Sequence, residues 1–302
     1  MGQIEKKLIT WAFLCLMLSA CDSFEKELNI ALPEVERQLV VECYLRPNQP
    51  FRVLVTETKG YFDDLNECPM VKGALVIMEY GEHRDTLSEA PYLGECTLMN
   101  PNFIPFLDNE RTRFYNYGSQ TICPLDYDTE FKLYVYDSLG QRSAYASTKI
   151  KPIIPIDSVA IRSIARTDSL ALHIVATDNI HEENYYRLQV HRNSIFDRNA
   201  SGMGVFNVLK GSIYSSLIAD NALNGNSTMV FNTDYVLKRG NRAIISFYHL
   251  SKAHYDYIRS MRESQNANGN PFAQPPSLVT NIQGGLGIFT AISLYRDTIR
   301  IQ

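Results

Sequence analysis

Apolar and polar residues alternate in short runs along most of the chain, and turn clusters separate the runs. Leu39-Val40-Val41-Glu42-Cys43-Tyr44-Leu45 and Phe51-Arg52-Val53-Leu54-Val55-Thr56 flank Pro47-Asn48-Gln49-Pro50. β-branched residues on both sides of a Pro/Asn cluster predict a hairpin. Gly73 to Tyr80 reads as a further strand turned by Gly81-Glu82, and Phe131 to Tyr136 alternates between two faces. Asp137-Ser138-Leu139-Gly140 then turns the chain into a run from Arg142 to Ile150. Five or six short strands without a helix predict a β-sandwich over residues 38–150.

Lys151-Pro152-Ile153-Ile154-Pro155-Ile156-Asp157-Ser158-Val159 marks a joint, since closely spaced prolines make a stiff, extended connector. A second strand series follows at Val159–Ala165, Leu170–Val175, Tyr185–His191, Val205–Ile218, Met229–Asn232, Ala243–His249 and Gly285–Tyr295. About seven strands predict a second sandwich over residues 151–302. One helix interrupts it. Ser251 is a fitting N-cap, and Tyr255, Ile258 and Met261–Arg262 recur at helical spacing. The helix is expected to reach about Gln265 and to stop in Asn266-Ala267-Asn268-Gly269-Asn270-Pro271. The expected fold class is all-β: two β-sandwich domains, immunoglobulin- or fibronectin-like, with one short helix in the second.

The N-terminus departs from this pattern. Lys6 and Lys7 precede an uncharged apolar run from Leu8 to Leu18, and Leu18-Ser19-Ala20-Cys21 follows. Residues 1–20 read as a secretory signal peptide, too short and wrongly flanked for a structural spanning helix. A cysteine at that place resembles the bacterial lipobox, which implies cleavage before Cys21 and lipidation of its sulfur and amine. Each buried CH₂ of an acyl chain is worth about 0.8 kcal/mol, so two or three chains hold a protein on a membrane. Residues 21–37 read as the lipidated tether. Asp22-Ser23-Phe24-Glu25-Lys26-Glu27 carries three acids in six residues. It resembles the export signal of Bacteroidota surface lipoproteins, although a charge run also serves as a plain solvated tether. The expected location is the outer membrane, lipid-anchored and facing the cell exterior.

Composition narrows the function classes. The 302 residues are 45% hydrophobic and 21% charged, which excludes a disordered or collagen-like chain. A formal net charge of −4 argues against a nucleic-acid surface. Cys43, Cys68, Cys96 and Cys123 remain after the signal and the lipidation site are set aside. In an exported chain an even set permits disulfides with three connectivities, and buried free thiols are the alternative. Their spacing is far from any metal knuckle.

Chemistry-bearing motifs are few. His181-Glu182-Glu183 has tyrosine at 185 where a zinc helix needs histidine. Asp126-Tyr127-Asp128-Thr129-Glu130 starts like a calcium loop but has Phe131 at the glycine position and Asp137 at the position of the final glutamate, so it reads as a polar turn. No metal site, cofactor or catalytic set is expected, and the chain reads as a non-enzyme. Residues 91–127 combine four prolines with seven aromatics. This segment is either a loop folded over its sandwich or an aromatic platform for a partner, with Phe103, Phe106, Tyr115 and Tyr117 as candidate contacts. Asp followed by Ser or Thr and an aliphatic residue recurs at Thr86, Ser138, Ser158, Ser169 and Thr298. The pattern resembles the O-glycosylation acceptor of exported Bacteroidota proteins, and it equally suits turns that open strands.

Asn270-Pro271-Phe272-Ala273-Gln274-Pro275 and Asn281-Ile282-Gln283-Gly284-Gly285-Leu286-Gly287-Ile288-Phe289 form the most informative string. The three glycines permit tight turns or a bulge before a buried final strand. The string resembles the ending of a Bacteroidota lipoprotein family catalogued as domain of unknown function 4249. Gly73-Ala74-Leu75-Val76 and Ile154-Pro155-Ile156-Asp157-Ser158-Val159 resemble its other strand motifs. The resemblance implies a neighbour in the membrane, a TonB-dependent outer-membrane transporter, and a role as accessory binding subunit in nutrient uptake. The alternative is a structural or adhesive surface protein. The resemblance brings no catalytic residues and does not account for the four cysteines or the 91–127 segment. Phe272, held between prolines, is a further candidate partner contact, or else a plug for its own sandwich.

Overall fold

Strict alternation builds the first sheet. The computed structural model describes Gly2 and residues 36–60, 63, 69–90, 115–164, 166–193, 212–223, 225–267 and 277–302. Within the unit Arg37–Gln302, β1 (Leu39–Leu45) buries Leu39, Val41, Cys43 and Leu45, and β2 (Pro50–Glu57) buries Phe51, Val53 and Val55. β3 (Leu75–Tyr80), β4 (His83–Glu89) and β5 (Tyr117–Ile122) add Val76, Met78, Leu87 and Tyr117. β6 (Glu130–Tyr136) and β7 (Ser143–Lys149) complete the same core with Phe131, Leu133, Val135, Ala144 and Ala146.

These seven strands do not form two stacked layers. They run as one curled sheet whose eighth strand, β14 (Gly285–Ala291), comes from near the C-terminus, in the order β14-β1-β2-β5-β4-β3-β6-β7. The two ends meet where Tyr145 N–H donates to the Gln283 carbonyl at 2.9 Å and Gln283 N–H returns a bond at 2.8 Å. The sandwich expected over 38–150 is therefore replaced by a nearly closed barrel. Alternation specifies that one face is buried; it does not specify whether that face meets a second layer or curls onto itself. This contact also covers part of the open edges that β14 and β7 would otherwise present.

β14 pairs in parallel with β1, from Leu39↔Gly285 to Leu45↔Ala291. It is covered on both faces, as parallel strands usually are. Phe289 and Ala291 join the barrel core, and Ile288 packs with the helix described below.

The second strand series forms two facing sheets. β8 (Ile156–Ser163), β9 (Leu170–Thr177) and β12 (Thr228–Asn232) stand in the order β12-β9-β8. β10 (Tyr185–Asn193), β11 (Ser212–Ala219), β13 (Arg242–Leu250) and β15 (Ser293–Arg300) stand in the order β11-β10-β13-β15. Leu172, Ile174 and Phe231 from one sheet meet Tyr186, Leu188, Ile245 and Phe247 from the other in a separate core. Gly285–Tyr295, expected as one strand, is two. The chain leaves the barrel after Ala291, donates from Ile292 N–H to the Leu45 carbonyl at 2.8 Å, and enters the second sheet as β15. The boundary expected at 151 is thus crossed by β14.

α1 (Lys252–Ala267) starts where expected, with Ser251 Oγ accepting from His254 N–H at 3.2 Å. Lys252–Asp256 and Arg259–Glu263 ion pairs lie on its solvent side at i,i+4 spacing. Tyr257 and Ile258 on its inner side pack with Ile288 of β14 and with Tyr185, Tyr248 and Leu250 of the second sheet.

Candidate functional site

The glycine-rich string is the barrel seam. Gly284 and Gly287 have φ of +78° and +108°. A Cβ at Gly284 would lie far inside van der Waals contact with the Ser143 carbonyl oxygen, and one at Gly287 would do the same with the Val41 carbonyl. A Cβ at Gly285 would come within 2.6 Å of the Leu39 carbonyl. Only glycine lets the backbone approach so closely. Asn281 supports the seam with its side chain: Nδ2 donates to the Phe289 carbonyl at 2.8 Å and Oδ1 accepts from Phe289 N–H at 2.9 Å. Thr280 Oγ1 donates to the Gly287 carbonyl at 2.8 Å, and Ile282 is buried in the barrel core. The residues from Thr280 onward are therefore engaged in holding the barrel shut.

The other expected contacts fall differently. Tyr117 is 1% exposed, its hydroxyl donates to the Val71 carbonyl at 2.9 Å and accepts from Ala74 N–H at 2.9 Å, and it is a core residue rather than a partner contact. Its odd register on β5 turns it inward, which the surrounding run of aromatics concealed. Tyr115 is half-buried under Arg52, whose guanidinium carbon sits 4.7 Å above the ring. Phe103, Phe106, Phe272, Cys21, Cys68 and Cys96 lie outside the described residues. Cys43 and Cys123 are buried free thiols in the barrel core. Burial pushes the Cys123 thiol up to about 12 and raises Cys43 as well, with Cys123 adding to that rise, so both are unreactive.

Of the five Asp-Ser/Thr motifs, Thr86, Ser138, Ser158 and Thr298 are exposed and Ser169 is half-buried. Several of the aspartates have structural duties. Asp137 accepts from Gln141 N–H at 2.8 Å and from Arg142 Nε at 2.9 Å, and these hydrogen bonds hold its carboxyl below the usual range. Asp157 accepts from Thr177 Oγ1 at 2.7 Å. Asp126 accepts from Asp128 N–H, Thr129 N–H and Thr129 Oγ1, which makes the calcium-like string a self-capped turn. Among the described residues no group of His, Cys, Asp or Glu converges on a metal position.

Two buried polar clusters were not legible in the sequence. One lies under α1. Glu42 and Tyr44 project from the outer side of β1, 3.4 Å apart, toward His254 and Tyr257. Burial raises Glu42 to about 6 against the opposing Tyr44 hydrogen bond. Burial and the Arg187 charge lower His254 to about 3, which holds it neutral.

The second cluster ties the connector to the second sheet. Asn184, 1% exposed, donates from Nδ2 toward Asp178 Oδ1 at 3.2 Å, the Asn179 carbonyl at 3.0 Å and the Glu182 carbonyl at 3.1 Å. Its Oδ1 faces His249 Nε2 at 2.9 Å, and His249 Nδ1 faces the Pro152 carbonyl at 2.8 Å. Tyr186 donates its hydroxyl to Asp178. Ser293 Oγ donates to the Lys151 carbonyl beside it. Burial, with the Lys151 charge adding to it, holds the His249 pKa below the ordinary histidine value. The Pro152 carbonyl, Asp178 and Glu182 work the other way. His249 sits 65 residues from Asn184 and 97 from Pro152, so no local spacing announces the cluster.

The model of the family described as Domain of unknown function (DUF4249) matches residues 25–297, and the chain belongs to that family. No curated protein matches it. Among solved structures, a mutant Salmonella alpha-2-macroglobulin is similar over 91% of this chain at 9% identity and a TM-score of 0.24. The match spans 15% of that protein's length.

Proposed function

We propose that this protein is an outer-membrane lipoprotein, held by acyl chains on Cys21 and facing the cell exterior, that serves as an accessory binding subunit of a TonB-dependent nutrient transporter. The observation that carries the anchor is the order of segments. A charged start, an apolar run and Leu18-Ser19-Ala20-Cys21 stand ahead of an acidic stretch, and the compact unit begins at Arg37. The transporter association rests on the resemblance of the family's members to transporter-adjacent lipoproteins. A barrel sealed by glycines and a sandwich joined to it by a pinned connector suit a rigid docking body, because a preorganised surface binds at lower entropic cost. We further infer that β8–β13 and β15 form a fibronectin-like sandwich with α1 and β14 inserted before its last strand; three strands facing four support this reading.

Cys21→Ser tests the anchor: the variant should leave the membrane fraction and lose palmitate labelling. Continued partitioning into detergent would reject it. Native purification from outer membranes tests the partner, with a co-purifying barrel transporter as the expected result. Capture of extracellular glycoproteins without a barrel would instead favour a structural or adhesive surface protein.

A further inference from the structure

One end of the barrel carries both the root of the tether and an exposed apolar tip. β1 and β3 begin there, at Leu39 and Leu75, and β2 and β6 finish there, at Glu57 and Tyr136. β7 and β14 run away from it, β7 toward the connector at Lys151 and β14 toward Ile292, so the second sandwich joins the barrel at the opposite end.

The turn between β6 and β7 is held rigidly. The Asp137 carbonyl accepts from Gly140 N–H at 3.0 Å, and Asp137 N–H donates to the Arg142 carbonyl at 3.0 Å. The Asp137 carboxylate accepts from Gln141 N–H and Arg142 Nε. Leu139, at the tip of this turn, is 75% exposed. Leu75 and Tyr136, 47% and 38% exposed, pair across β3 and β6 beside it. A Cβ at Gly73 would stand 3.4 Å from the Ser138 Cβ, which places the turn against the segment that leads into Leu75. These apolar groups bury little within their own fold, and removing them from water is favourable wherever a surface accepts them.

Arg142 links the tip to the tether. Its Nε donates to Asp137, and its Nη1 donates to Glu57 at 3.0 Å and to the Arg37 carbonyl at 3.3 Å. Arg37 opens the compact unit. Residues 22–36 separate it from Cys21, and they reach at most about 50 Å when extended. A tether of that length keeps the body near a bilayer without orienting it.

We propose that the Leu139 tip, with Leu75 and Tyr136, rests in the lipid surface that holds the acyl chains of Cys21, a second contact that stands the barrel end-on and keeps the second sandwich away from the membrane. The proposal rests on the anchor reading above. Leucine side chains enter the boundary between headgroups and acyl chains, and a tyrosine suits that boundary with an apolar ring and a polar hydroxyl. The patch is small, but the anchor makes its contact with lipid intramolecular, so a weak apolar attraction suffices. Ile122, Leu125 and Tyr127 are exposed as well, at the end where the second sandwich joins, and they stay in water.

Tryptophan fluorescence tests this. The single tryptophan, Trp11, lies in the signal segment, so the processed chain carries none. Leu139→Trp, expressed as the full chain and acylated in cells, is reconstituted into phosphatidylethanolamine–phosphatidylglycerol vesicles with brominated acyl chains. Its emission should shift to shorter wavelength and be strongly quenched, whereas Leu125→Trp in the same vesicles should keep its intensity. Palmitate labelling and flotation with the vesicles report the anchor separately. A chain that labels and floats, with position 139 no more quenched than position 125, overturns the tip contact and leaves the anchor standing. A chain that neither labels nor floats overturns both. Transporter capture lost in Leu139→Asp, with no quenching in Leu139→Trp, would assign the tip to a protein partner instead. A glycan on Ser138 would hold the tip off the lipid and would also overturn the proposal.

Discussion

The barrel seam and the connector clasp solve the same problem by opposite means. Each joins segments far apart in the chain. At the seam, β14 is brought against β1 and β7 through close backbone approach, and the enabling residues are those with nothing on Cα: Gly284, Gly285 and Gly287. At the clasp, the Lys151–Pro152 connector is held by side chains, through His249, Asn184 and Ser293. A backbone joint tolerates almost no change at its glycines and almost any change at its exposed side chains. A side-chain joint fails when one partner leaves, because the others remain buried without water.

The largest effect should come from Gly287→Ala. Its φ of +108° and the adjacent Val41 carbonyl leave no room for a methyl group, so a loss of about 4 kcal/mol or more is expected, read as a collapse of the melting temperature or failure to fold. A stable Gly287→Ala variant would show that the seam is not a close backbone joint. Asn184→Leu comes next. It strips His249 and Asp178 of their shared partner, and chemical denaturation should report a loss of about 3 kcal/mol. A loss below that of an ordinary surface change would mean the cluster is not interdependent.

Glu42, beside the seam on β1, gives a pH-dependent comparison. Burial raises it to about 6 from an unfolded value of 4.5. A carboxyl whose folded pKa is raised contributes stability that is full below the unfolded value and lost as the pH rises through about 6. Glu42→Gln should therefore gain about 1–2 kcal/mol at pH 8 and nothing at pH 4. His254, lowered to about 3, acts in the other direction: stability falls with pH below its unfolded value as its protonation is forced. Equal gains for Glu42→Gln at both pH values would point to packing rather than charge.

The smallest effects separate backbone from side chain within one motif. Asn281→Ala removes two hydrogen bonds to Phe289 and should cost about 1–2 kcal/mol. Gln283→Ala keeps the backbone bridge to Tyr145 and leaves only an exposed side chain behind, so a change within about 0.5 kcal/mol is expected in the same denaturation assay.

The sequence by itself determined the local elements. Alternation in β1, β2, β6 and β7 placed their buried faces correctly, and Ser251 announced the start of α1, because these features depend on neighbours within a few residues. It also showed that Gly284, Gly285 and Gly287 were special, since three glycines beside a buried run have few other uses. What only the tertiary structure decided was where each element goes. Ile292 divides one apolar run between two sheets because Phe289 finds its partner on β1 and Tyr295 finds its own on β13. Tyr117 turned out to be core and the 38–150 strands a barrel, since alternation is silent on what a buried face packs against. Asn184, Asp178, His249 and Pro152 carry no shared pattern along the chain. Their chemistry exists only once β10, β13 and the connector are side by side, where burial makes each hydrogen bond costly to lose.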